Sequence, residues 1–167
     1  MTTNQSVSLG GVTVGAAILI VYGIYWWHRE KRKPVLAVPF LLAALYGMLL
    51  ILSGGGLLGW AAGTALWGAN GLGDQSLIWG VGGTTMDVTR ARQIVLQPGG
   101  HVIVLLLTVA LVALWKFAKK LRSWKIGVGV LCGICLALSG TVAGAAAVPL
   151  GSSANAAGAV FTKAMAR

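Results

Sequence analysis

The chain has 167 residues, 57% of them hydrophobic and only 10% charged, with a mean hydropathy of +0.84 and a formal net charge of +10. A soluble domain carries about a quarter charged residues, so this chain cannot cover itself with a charged surface, and lipid is its natural solvent. Segments that cross lipid must satisfy their own backbones, and long apolar runs rather than alternating ten-residue ones point to helices and not to a closed barrel.

Residues 1–9 are polar and carry no charged side chain. A secretory signal begins with positive charge before its apolar core, whereas here the charges follow the core, as in a retained anchor. The first predicted span is 10–27, about 27 Å of helix at 1.5 Å per residue, with Trp26 and Trp27 at its far end, where amphipathic rings favour the headgroup level. The basic link Arg29, Lys31, Arg32 and Lys33 follows, then Pro34.

The second predicted span is 35–54. Apolar character continues past Gly54-Gly55-Gly56 to Trp67, and one helix of that length would reach about 50 Å, too long for a hydrocarbon core of about 30 Å. A bend at the glycines is expected, then a short interfacial or re-entrant helix from Leu57 to Ala69 carrying Trp60 and Trp67 on one face. The rest of 55–100 reads as a Gly-rich outer loop.

The third predicted span, 101–117, has few small residues and ends near Trp115, which suits a lipid-facing helix. A second basic link holds Lys119, Lys120, Arg122 and Lys125, together with Trp124. The fourth predicted span, 126–148, differs in kind. Gly129, Gly133, Ala137 and Thr141 recur every four residues, with Gly140 and Gly144 as an offset pair, and small residues at that spacing let another helix of this chain or of a second copy approach closely. Pro149 is expected to end that helix. The tail, 149–167, reads as a small amphipathic surface helix or a frayed terminus.

Charge fixes the orientation. Four spans put nine Lys and Arg (Arg29, Lys31, Arg32, Lys33, Lys116, Lys119, Lys120, Arg122, Lys125) on one side and Arg90, Arg92, Lys163 and Arg167 on the other. The positive-inside rule then holds the basic links in the cytoplasm and both termini outside. Three spans would scatter the clusters. The sequence therefore predicts an all-α integral membrane protein forming one membrane domain over 1–167, with four transmembrane helices in the cytoplasmic membrane.

Chemistry-bearing motifs are sparse. The basic links are too short for a DNA-reading fold and lack an extended aromatic array for base stacking, so a DNA contact has no motif behind it. Attraction to anionic lipid, about 1 kcal/mol per basic residue, explains them sufficiently. Cys132 and Cys135 sit in an apolar run without the further ligands zinc needs or the second cysteine pair a membrane thiol oxidase uses. His28 and His101 read as polar caps at span ends, His101 also as a pH-sensitive group at an outer mouth. No predicted span holds a carboxylate, which counts against a proton-coupled carrier. No phosphate-cradling loop or zincin-type helix occurs, and no cofactor, metal or catalytic residue is expected.

In layout, with the links Arg29-Glu-Lys-Arg-Lys33 and Lys119-Lys-Leu-Arg122, Gly/Ala-rich spans and a Gly-rich outer loop, the chain resembles the small multispanning membrane proteins of actinobacterial conjugative elements, called spread proteins. The resemblance implies a part in intercellular DNA spread beside a DNA-pumping ATPase and carries no residue-by-residue roles. The expectation is a non-enzymatic, self-associating membrane component of a translocation or envelope assembly. The alternatives are a phage holin-like pore former and, last, a thiol oxidoreductase using Cys132 and Cys135.

Overall fold

The computed structural model describes residues 8–53, 56–84, 96–117, 124–137 and 142–165. They form six α-helices, with no strand among the described residues: α1 (Leu9–Arg29), α2 (Pro34–Leu52), α3 (Gly56–Ser76), α4 (Pro98–Phe117), α5 (Trp124–Ala137) and α6 (Val142–Met165). Two of them, α1 and α2, are long and apolar enough to cross a membrane. Most of each stays uncovered by the rest of the protein, unlike the core helix of a soluble domain.

The helix starts have local causes. Ser8 caps α1, its Oγ accepting from Gly11 N at 3.1 Å, while Asp74 Oδ1 accepts from Gly10 N at 3.1 Å. Free N–H groups and the positive end of the helix dipole both favour a carboxylate there. Pro34 occupies the first position of α2, where its missing N–H costs nothing. Between α1 and α2 the chain reverses in four residues, with Lys31 and Arg32 at φ of 48° and 58°. Lys33 N donates to Glu30 O, and Trp26 Nε1 donates to Lys33 O at 3.0 Å, closing the turn.

Beyond that turn α1 and α2 diverge, and α5 fills the space between them. It runs antiparallel to α1, with Trp124 beside Tyr25 and Cys135 and Leu136 against Gly15. It runs parallel to α2, with Gly129 on Phe40 and Ala43 and Gly133 on Ala44. Every residue from Cys132 to Ala137 is buried. A segment covered on all sides can be apolar all round, as this half of α5 is. The α2–α5 contact is close: a Cβ added at Gly47 would collide with the carbonyl of Val130, and one at Gly133 with that of Ala44.

Helix α4 runs antiparallel to α2, with His101 near Ser53 and Thr108 bonded to Tyr46 at 2.6 Å. It leaves Leu105, Leu106, Val109 and Val112 exposed. Helix α3 begins three residues after α2 ends, and its Gly73 packs on Gly10 at the start of α1. Both its ends thus adjoin the end of the bundle opposite the Glu30–Lys33 turn, so α3 lies across that end.

Two boundaries differ from the sequence expectation. The short helix of 57–69 is part of a 21-residue helix that continues into a π-helical turn, Leu77–Val81, so residues through 81 are not outer loop. Gly59, Ala62, Leu66, Ala69 and Gly73 form one buried face at helical spacing, which sustains it. Gly82, at φ +69°, ends it, its successor's N–H bonding Leu77 O at 3.0 Å. The predicted span of 126–148 falls on α5 up to Ala137 and on α6 from Val142, and its residues 138–141 lie outside the described residues. Pro149 does not terminate anything: it lies inside α6, and the tail is helical to Met165. Packing overrides the lost hydrogen bond, because Ala147, Gly151, Ala154 and Gly158 are buried and α6 lies on α4.

The Gly133→Leu variant is expected to lower the unfolding midpoint in detergent and the membrane yield, since overpacking costs about 1–3 kcal/mol or more where backbone cannot retreat. Gly127→Leu, where no neighbour lies within 4 Å of an added Cβ, is expected to leave both near the wild-type value.

Candidate membrane interface

The basic end of the bundle is built on Glu30. This residue follows the last turn of α1, where a negative charge opposes the helix dipole, and its side chain is only 7% exposed. Lys125, at the start of α5 and 14% exposed, forms an ion pair and hydrogen bond with Glu30 Oε1. Glu30 Oε2 has no hydrogen-bond partner among the described residues. The pair ties the α1–α2 turn to the helix inserted between them.

Aromatic rings surround this tie. Tyr22 stacks on Phe40 at 3.8 Å and donates its hydroxyl to Leu36 O at 3.2 Å. Tyr25 meets Trp124 edge-on at 5.7 Å, and Lys125 lies 6.0 Å from the Tyr25 ring. Arg32 sits over the exposed Trp27 ring at 3.3 Å, a cation–π contact that holds a charge beside an aromatic anchor. Arg29, Lys31 and Lys33 project into the surroundings. Trp26 is half-buried and serves the turn through its Nε1, whereas Trp27 and Trp124 are open on one face.

At the opposite end, Trp60 and Trp67 on α3 are 67% and 80% exposed. Trp79, which the sequence reading did not single out, joins them at 82% in the π-helical turn. Between the two ends the surface is apolar: Leu19, Ile20, Val21 and Ile24 on α1, Val38, Leu41 and Leu42 on α2, and the uncovered face of α4. A shallow groove of about 260 Å³ between α1 and α5, lined by residues such as Val14, Ile18, Tyr22 and Val128, belongs to the same surface. Contiguous exposed apolar patches mark contacts with membranes or other proteins.

The small-residue positions are only partly brought together. Gly129, Gly133 and Ala137 are buried inside the chain, the two glycines against α2. Gly140 and Thr141 lie outside the described residues, as do Lys119, Lys120 and Arg122, the side chain of Trp115 and the surroundings of Gly144.

Cys132 and Cys135 are free thiols with almost no exposed surface, and Cys132 donates to the Gly15 carbonyl at 3.4 Å. A substrate disulfide has no approach to either, so the geometry offers nothing to thiol exchange. His101 places both ring nitrogens on backbone carbonyls, Gln97 O at 2.9 Å and Ser53 O at 3.0 Å. It joins the start of α4 to the end of α2. No group of three metal-binding side chains occurs among the described residues.

The sequence reading missed three polar side chains that position this architecture: Glu30, Asp74 and Asn155. Glu30 had a signal, being the single acid within a run of bases. Asn155 Oδ1, like Asp74, serves a helix start from a distant helix, accepting from Gln97 N at 2.8 Å, and that pairing is invisible without the fold. No family model, curated protein or solved structure matches this chain.

Removing one partner of a buried ion pair costs about 3–5 kcal/mol because the other charge is stranded. Lys125→Met and Glu30→Leu alone are each expected to lower the unfolding midpoint markedly, and the double variant is expected to recover most of that loss. Unfolding of the four proteins in one detergent checks the coupling.

Proposed function

We propose that this protein is a multi-pass component of the cytoplasmic membrane that serves a translocation or envelope assembly without catalysing a reaction. The observation that carries this reading is the division of the surface, with uncovered apolar side chains along α1, α2 and α4 and, at one end, a basic turn fixed by Glu30 and Lys125. The alternating directions of α1, α2, α4 and α5 support four crossings, with α5 extended toward α6. The basic links then lie in the cytoplasm. The tryptophans of α3 act as anchors at the outer leaflet. Intercellular DNA transfer, which the resemblance to spread proteins suggests, is the translocation process this layout serves.

Self-association is part of the proposal, but through a different face than first expected. Gly129 and Gly133 are occupied by α2 of the same chain, so contacts with further copies use the exposed apolar faces. A pore former remains the second reading. The closed α2–α5 contact leaves no passage there, so a pore would have to lie between copies.

Reporter fusions after Lys120 and after Met165 are expected to report opposite sides of the membrane, the first cytoplasmic and the second outer. Both on one side would overturn the four-crossing arrangement. Induced expression is expected to leave the membrane potential intact. Rapid depolarisation with lysis would favour the pore former instead.

A further inference from the structure

Three short sequence patterns occur twice, and each copy has the same place in the fold. Gly10-Gly11 opens α1 with Trp26 fifteen residues later, and Gly99-Gly100 opens α4 with Trp115 at the same interval. Gly47-Met-Leu-Leu-Ile-Leu-Ser-Gly54, from α2, returns as Gly133-Ile-Cys-Leu-Ala-Leu-Ser-Gly140, from α5. Ala69-Asn-Gly-Leu-Gly73 in α3 returns as Ala154-Asn-Ala-Ala-Gly158 in α6. The copies stand 89, 86 and 85 residues apart, a drift that small length differences in the connections produce.

The contacts repeat with the patterns. Asn70 Oδ1 accepts from Ser8 N at 3.4 Å while Gly73 packs on Gly10; Asn155 Oδ1 accepts from Gln97 N at 2.8 Å while Gly158 packs on Gly99. Ser8 and Gln97 each precede their glycine pair by two residues. Helix α3 also touches α5 in the way that α6 touches α2.

The α2–α5 contact carries the decisive relation. Gly47 lies on the carbonyl of Val130, and Gly133 lies on the carbonyl of Ala44. Positions 47 and 133 are equivalents, as are 44 and 130, so each contact is the other with the halves exchanged. Ala43 and Gly129, equivalents of one another, meet across the middle, the Ala43 Cβ lying 2.9 Å from where a Cβ on Gly129 would be. This is the signature of an isologous interface, in which residue i meets j and j meets i.

We infer that residues 8–81 and 97–165 are two copies of one three-helix unit joined in tandem, and that the α2–α5 seam is the two-fold interface through which two such units pair. The partner this surface fits is a second copy of the unit, supplied by the same chain. Because α2 and α5 are parallel, the two-fold axis runs along the bundle, and α2 and α5 both start at the end that holds Glu30 and Lys125. The departure from symmetry has a steric cause. Cys132 reaches the Gly15 carbonyl directly, whereas the equivalent positions hold Tyr46 and Val104, with Thr108 bridging them. The larger set keeps α4 further from α2 than α1 is from α5.

The test uses the full chain with a protease site placed within residues 86–94 and an affinity tag at one end. After cleavage in detergent the two fragments are expected to copurify in equal amounts; fragments that separate overturn the inference. Gly47→Leu and Gly133→Leu, being equivalent, are each expected to release the untagged fragment, and a seam loosened by only one of them is not two-fold. The exchange Ala44→Val with Val130→Ala is expected to retain both fragments, and their loss overturns the equivalence. Since a leucine variant can fail before cleavage, Ala43→Cys with Gly129→Cys supplies an independent reading. Oxidation is expected to lock the fragments together under denaturing conditions within single chains, and no cross-link means that the seam is wrong.

Discussion

The architecture depends on one close approach, that of the α2 and α5 backbones at Gly47, Gly129 and Gly133. Helices that meet at ordinary side-chain distance would leave α5 too far from α2 to be covered by α1 at the same time. With glycine at the contact, α5 enters far enough that six consecutive residues, Cys132 to Ala137, are enclosed. In lipid the hydrophobic effect gives neighbouring helices little reason to associate, and packing of this kind is a main source of cohesion. The ion pair of Glu30 and Lys125 then fixes how deep α5 sits along that contact.

The enclosure also sorts what the molecule can do from what it cannot. Side chains that suggested redox chemistry are sealed in the centre, and the small-residue face that suggested association is consumed internally. What remains outward is an oily flank, a basic end and a tryptophan-bearing end. That division of the surface is what supports the proposed placement in a membrane. Reading the chain as two fused units sharpens the point, since pairing that two separate copies would achieve at a given concentration is made permanent by the connection between them.

Much of this was legible in the sequence and some of it was not, for identifiable reasons. Helical character, the two basic clusters and the small-residue spacing around Gly129 and Gly133 follow from composition and periodicity. Helix α3 runs past the expected 57–69 because Gly59, Ala62, Leu66, Ala69 and Gly73 form one buried face, which glycine content alone does not reveal. Local propensity makes Pro149 a stop, and contact with α4 overrules it. The repeats went unseen for a different reason: no single spacing aligns all three, and most matched positions are Gly, Ala or Leu, which recur in any membrane helix. The equivalent hydrogen bonds that Asn70 and Asn155 accept, and the reciprocal contacts of Gly47 and Gly133, make the small match meaningful.

The turn at Lys31 and Arg32 carries one more implication. Two successive non-glycine residues in the left-handed region cost roughly 1–2 kcal/mol each, and glycine at either position would relieve the backbone. In the proposed orientation glycine would also remove a charge that an anionic inner leaflet attracts by about 1 kcal/mol, and at position 32 the guanidinium resting on Trp27. The two effects are of similar size and opposite sign. At these two residues, then, the backbone cost is offset by a ring contact and by charges that the proposed placement in a bilayer would use.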